Sequence, residues 1–165
     1  MILRKAGILA MGLLTAISAF FSNCKPAKEI TSFEVVTLRE VGTAAWTDEW
    51  EFVRTETGVT FTYYSGPWEF QEDVTREEFV EKRVEGGEEF LQEVLKLFND
   101  CRISAWDGFR KSNPNVLDGT MFSFKGVIND GEEISASGSN SYPGKYRDFK
   151  EAIRNLVTSG TIKGE

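Results

Sequence analysis

Met121-Phe122-Ser123-Phe124-Lys125-Gly126-Val127-Ile128-Asn129-Asp130-Gly131-Glu132-Glu133-Ile134-Ser135-Ala136-Ser137-Gly138 is the stretch that decides the fold. Side chains alternate on both sides of Asn129-Asp130-Gly131, the pattern of two half-buried strands joined by a tight turn. The spacing predicts strands over 120–128 and 132–138, joined by a type I turn closed by a left-handed Gly131. Gly126 then pairs with Ile134, Phe124 with Ala136 and Phe122 with Gly138, all on one face. Lys125, Glu133, Ser135 and Ser137 fall on the other face. A slip of one residue would mix the two sets, so this register is favoured.

Upstream, 32–41 reads as a strand with apolar residues on both faces. Trp46, Trp50 and Phe52 share one side of a second strand with Arg54, and Val59, Phe61 and Tyr63 line one side of a third. With a loop over 55–58, Phe52 lies opposite Phe61 and Trp50 opposite Tyr63, which stacks aromatics across the pair. Thr75 and Glu78 have capping-box spacing, with Val74 and Phe79 at the staple positions. Val80, Val84, Gly87, Leu91, Val94, Leu95 and Phe98 continue a stripe at helical spacing, which predicts one long helix to about Asn99 or two helices broken at Gly86-Gly87. Residues 103–118 read as irregular, and a last helix over 145–158 stops at Gly160. The expected fold is α+β: an antiparallel sheet of about five strands, order β-β-β-α-β-β-α, with both helices on one face. Residues 32–160 form one domain, followed by a tail at 161–165.

Arg4 and Lys5 precede an uncharged run from Ala6 to Cys24, an export-signal pattern. With Phe21-Ser22-Asn23-Cys24 at its end, the segment resembles a bacterial lipoprotein signal, although Asn23 stands where that pattern has Gly, Ala or Ser. The resemblance implies that residues 1–23 are removed and that Cys24 carries lipid, with 24–31 as a tether. Cleavage after Ser18, or retention of the run as a membrane helix, are the alternatives, and all three place the domain outside the cytoplasm. Trp106-Asp107-Gly108, Val116-Leu117-Asp118-Gly119 and Gly138-Ser139-Asn140-Ser141-Tyr142-Pro143 are similar to a W-x-G, V-L-D-G, G-x-N-x-Y-P series in small uncharacterised bacterial lipoproteins. That resemblance implies an address and a fold but no reaction.

The chain has 165 residues and a net charge of −7, and losing residues 1–23 removes two cations and no acid. So acidic a domain is poorly suited to nucleic acid or to anionic lipid headgroups. Thirteen Phe and four Trp supply a core. The absence of histidine excludes Ser-His-Asp and Cys-His catalysis and histidine-ligated zinc, while Cys101 by itself cannot build a cysteine zinc site. Cys101 reads as a buried apolar side chain. Tyr146 and Lys150 match a Y-x-x-x-K spacing, but no glycine-rich turn accompanies them to hold a dinucleotide. Tyr146 reads as core and Lys150 as its solvated neighbour. Trp68 and Trp106 are the candidate contacts for a sugar or an apolar partner surface, and Asn140 and Tyr142 the candidate loop contacts. No metal or other cofactor is expected.

The expectation is an exported, lipid-anchored, non-enzymatic domain of the cell envelope. It binds an envelope component such as a glycan, or another exported protein, and the membrane holds it through Cys24. Alternatives are an envelope hydrolase using paired carboxylates, or a structural envelope protein.

Overall fold

The structure, a computed structural model, describes residues 25–42, 45–68, 73–116 and 119–160. The signal with Cys24, Leu117-Asp118 and the tail at 161–165 lie outside the described residues.

Among the described residues seven strands form one sheet: β1 (Phe33–Val41), β2 (Thr47–Arg54), β3 (Val59–Gly66), β4 (Val80–Gly86), β5 (Arg110–Ser112), β6 (Met121–Ile128) and β7 (Glu132–Ser139). Their order is β4-β3-β2-β1-β6-β7-β5, antiparallel except for the parallel pair of β5 with β7. Among the described residues two helices complete the α+β fold, α1 (Glu88–Asp100) and α2 (Tyr146–Ser159).

The hairpin registers follow the hydrophobic pattern. Phe124 pairs with Ala136 and Phe122 with Gly138, while Phe52 faces Phe61 and Trp50 faces Tyr63. The β6–β7 loop differs from expectation: Asn129, Asp130 and Gly131 all have positive φ, so no type I turn forms. Asn and Asp tolerate that backbone, and here it is secured because the Asn129 side chain bonds elsewhere, as described below.

The long helix is replaced by a 3-10 turn (Arg76–Phe79), strand β4 and then α1. The Thr75–Glu78 capping box forms, but on the short turn. The spacing of four between Val80 and Val84 is even, so the period alone fits a strand as well as a helix. Glycine geometry decides between them. A Cβ on Gly58 would lie 1.9 Å from the Gly86 carbonyl oxygen, and one on Gly86 would strike Phe90, so the turn of the β2–β3 hairpin closes on the end of β4 only through glycines. Gly87 then caps α1 with extended backbone. The expected five-strand order also lacked β5, three exposed residues that add to β7 beyond the hairpin.

The apolar phase of the sheet sets the core. Phe98 of α1 meets Phe52 edge-on at 5.3 Å, Tyr146 of α2 meets Phe122 at 4.9 Å, and Phe149 meets Phe98 at 6.2 Å. Phe52 and Phe122 share a sheet face through Val36, Leu38 and Glu40 of β1. Both helices therefore cover that face.

Residues 25–31, expected to be a tether, are instead a strap held against the domain. Ser104 Oγ accepts from the Lys28 amide and donates to the Lys28 carbonyl (2.9 and 2.7 Å). Asn99 treats Ile30 the same way, Oδ1 accepting from its amide and Nδ2 donating to its carbonyl (2.8 and 2.9 Å). Asn129 accepts from the Thr31 amide and donates to the Glu29 carbonyl (2.9 and 2.7 Å). Ile30 is 2% exposed and belongs to the core.

Candidate functional site

Glu40 continues the inward phase of Val36 and Leu38 at the end of β1, which brings a carboxylate onto the helix-covered face. An acid in an apolar register needs donors, and α2 supplies two from consecutive turns. Tyr146 donates its hydroxyl to Glu40 Oε1 and Lys150 donates from Nζ to Oε2, both at 2.6 Å. Lys150 Nζ also sits 3.4 Å from the centroid of the Trp50 ring. Burial holds the Lys150 amine below its usual pKa against the pull of Glu40. Tyr146 is pushed well above the usual phenol range, mainly by burial and then by Glu40. Lys150 is thus an ion-paired, mostly buried side chain and not the solvated neighbour expected from sequence.

Asp48 lies directly across from Glu40 in the β1–β2 ladder. Like charges in such cross-strand positions repel, and each has its own donors: Tyr63 Oη (2.8 Å) and Ser65 Oγ (2.6 Å) for Asp48. The Tyr63 pKa rises to about 12, chiefly through burial.

Above this floor opens a cleft of about 670 Å³ bounded by Glu40, Tyr142, Tyr146, Arg147, Lys150, Glu151, Arg154 and Asn155. Tyr142 is 40% exposed, and its ring stacks on Tyr146 at 4.7 Å and on Phe122 at 5.5 Å. The ring is immobilised from behind while part of it faces solvent. Arg147, Lys150 and Arg154 follow one another at i, i+3 and i+7 on α2, a single helix face.

The four contact candidates are not gathered into one patch. Trp106 is 1% exposed, with its indole N–H donating to the Gly144 carbonyl and its ring against Phe124, Tyr146 and Phe149. It is a core residue, which corrects its reading as an exposed platform. Trp68 is half-buried on the opposite side of the sheet, against Tyr64 and Phe79. There Arg76 ties the β3–β4 connection down by pairing with Glu49 and Glu51 and lying over the Tyr64 ring. Asn140 has a positive φ, and its Oδ1 accepts from the Thr120 amide at 3.1 Å, fastening the end of β7 to the start of β6. A Cβ on Gly119 would collide with that side chain. Only Tyr142 reaches the cleft.

Glu40, Arg147 and Arg154 had no place among the sequence candidates. An acid in the phase of Val36 and Leu38 was the available signal for Glu40, and the Tyr146–Lys150 spacing was the signal for its partners. Cys101 is buried, and burial raises its thiol pKa to about 11, which matches an inert core thiol. Among the described residues no helix is long and apolar enough to cross a membrane, and no three acidic or cysteine side chains gather where they would hold a metal ion. No family model, curated protein or solved structure matches the chain.

Proposed function

We propose that this chain is an exported, lipid-anchored, non-enzymatic domain that binds an envelope component or another exported protein through the cleft at Tyr142. The carrying observation is the Tyr142 ring, stacked from behind on Tyr146 and Phe122 yet 40% exposed. A preordered aromatic face loses little freedom on binding, which is how tyrosines contribute at interfaces. The lipoprotein-type signal and the resemblance of the C-terminal half to small bacterial lipoproteins support the address. The strap supports a close attachment: Lys25, next to Cys24 in sequence, pairs with Asp107 at 2.6 Å. A lipid on Cys24 would hold the domain against the membrane instead of on a flexible leash.

The test is photo-crosslinking in the exporting host, with a photoreactive residue replacing Tyr142 or, as control, the exposed Lys96 of α1. Envelope adducts at Tyr142 and none at Lys96 are expected. Equal adducts, or none at Tyr142, would remove the cleft reading. Palmitate labelling lost on Cys24→Ala tests the anchor separately.

One observation favours a second reading, the envelope hydrolase: Glu40, which bounds the cleft, has Asp48 as its cross-strand neighbour. It ranks second because Tyr146 and Lys150 already occupy both Glu40 oxygens, whereas a general acid needs a free path for its proton. Release of reducing ends from envelope polymer by the wild type, abolished in Glu40→Gln, would reverse that ranking.

A further inference from the structure

We propose that the ligand of this cleft is an acidic glycan, a saccharide chain whose rings carry carboxylates; the inference rests on the cleft being the contact surface. Two features select this chemistry. The first is the supported, half-exposed face of Tyr142. The C–H face of a pyranose is apolar and slightly positive, so it stacks on the electron-rich face of a tyrosine ring without losing the hydration of its hydroxyls.

The second is local charge. Three cations and two carboxylates bound the cleft, whereas the chain as a whole carries −7. Lys150 is already committed to Glu40 and Trp50. Arg147 and Arg154 remain as exposed guanidiniums two turns apart on α2, on the same side as the Tyr142 ring. A guanidinium fork matches a carboxylate in two parallel hydrogen bonds, a match that neutral hydroxyls cannot reproduce. At 1.5 Å rise per residue, seven residues span about 10 Å, roughly the distance between alternate rings of a glycan chain. Asn155 and Glu151 at the rim supply neutral and acceptor groups for ring hydroxyls. An acidic peptide would engage the arginines but gives no reason for a bare aromatic platform beside them.

The experiment is calorimetric titration of the full chain with galacturonate and mannuronate hexamers, and with neutral chitohexaose. At least one uronate should bind, roughly tenfold or more tightly than chitohexaose, the ratio expected from one charge-assisted pair. Tyr142→Ala should abolish uronate binding while Tyr142→Phe retains it. Arg147→Ala with Arg154→Ala should lose about tenfold or more for uronate and little for chitohexaose. Both arginines are exposed, so these variants fold. Equal affinity for charged and neutral chains, or indifference to the arginine changes, overturns the acidic assignment. Failure of all three saccharides with crosslinking at Tyr142 intact overturns the glycan and leaves the cleft as a contact surface. Failure of the crosslinks as well brings down the underlying reading.

Discussion

Asn99→Ala tests whether residues 25–31 belong to the folded body. The Asn99 side chain makes three hydrogen bonds: with the amide and carbonyl of Ile30, and with the Leu95 carbonyl at 3.0 Å. Truncation leaves both Ile30 backbone groups without that partner, and Ile30 is 2% exposed. A buried backbone group left unsatisfied costs about 1–3 kcal/mol. With two such groups, the loss is about 2–6 kcal/mol if the strap stays docked. Undocking sets the upper limit, since it exposes the Ile30 side chain, worth about 1.5–3 kcal/mol. It also releases the bonds from Ser104 and Asn129, each worth about 1 kcal/mol net. The expected destabilisation in urea unfolding is about 2–6 kcal/mol. Asn99→Asp should behave more like alanine than like wild type, because it keeps the acceptor but cannot donate to the Ile30 carbonyl. Hydrogen exchange gives the local readout. The amides of Lys28, Ile30 and Thr31 should be protected in the wild type and should lose protection together in Asn99→Ala, as one cooperative unit. Exchange of all three at free-peptide rates in the wild type, or a stability change under about 0.3 kcal/mol, would refute the docked strap and restore the tether.

Three further outcomes are expected. Gly58→Ala drives a Cβ to 1.9 Å from the Gly86 carbonyl oxygen, a backbone atom with little room to yield, so urea unfolding should show a loss of about 2 kcal/mol or more. Lys150→Met should cost about 1–2 kcal/mol, less than a fully buried broken pair because Tyr146 still donates to Glu40, and the Lys150→Met/Glu40→Gln double variant should lose less than the sum of the singles in a thermodynamic cycle. One tyrosine should ionise near pH 12 in ultraviolet titration and vanish in Tyr63→Phe. Because that folded pKa lies above the unfolded value near 10, its contribution to stability is complete below pH 10 and is lost as pH rises through 12.

Local pattern alone was enough where one face of a segment is buried. Phe122, Phe124 and Gly126 against Ile134, Ala136 and Gly138, and Trp50 and Phe52 against Tyr63 and Phe61, admit one register each, because a slip would expose aromatics to water. The amphipathic stripe of α2 and its stop at Gly160, with φ of 74°, were legible for the same reason. Tertiary contacts decided the rest. The segment 80–86 joins the sheet because β3 offers an unpaired edge and Gly58 and Gly86 let the backbones meet, which no periodicity records. Strand β5 has three exposed residues and no pattern of its own, so only the edge of β7 makes it a strand. Residues 25–31 look polar and loose in sequence, and they are ordered by the side chains of three distant residues, the amides of Asn99 and Asn129 and the hydroxyl of Ser104. The cleft is the same kind of case: Glu40 and Lys150 are 110 residues apart, and neither carries meaning until the sheet and α2 bring an acid, an amine and the Trp50 ring together. Short-range burial is written in the order of residues, whereas the pairing of distant polar groups depends on where the packed core carries them.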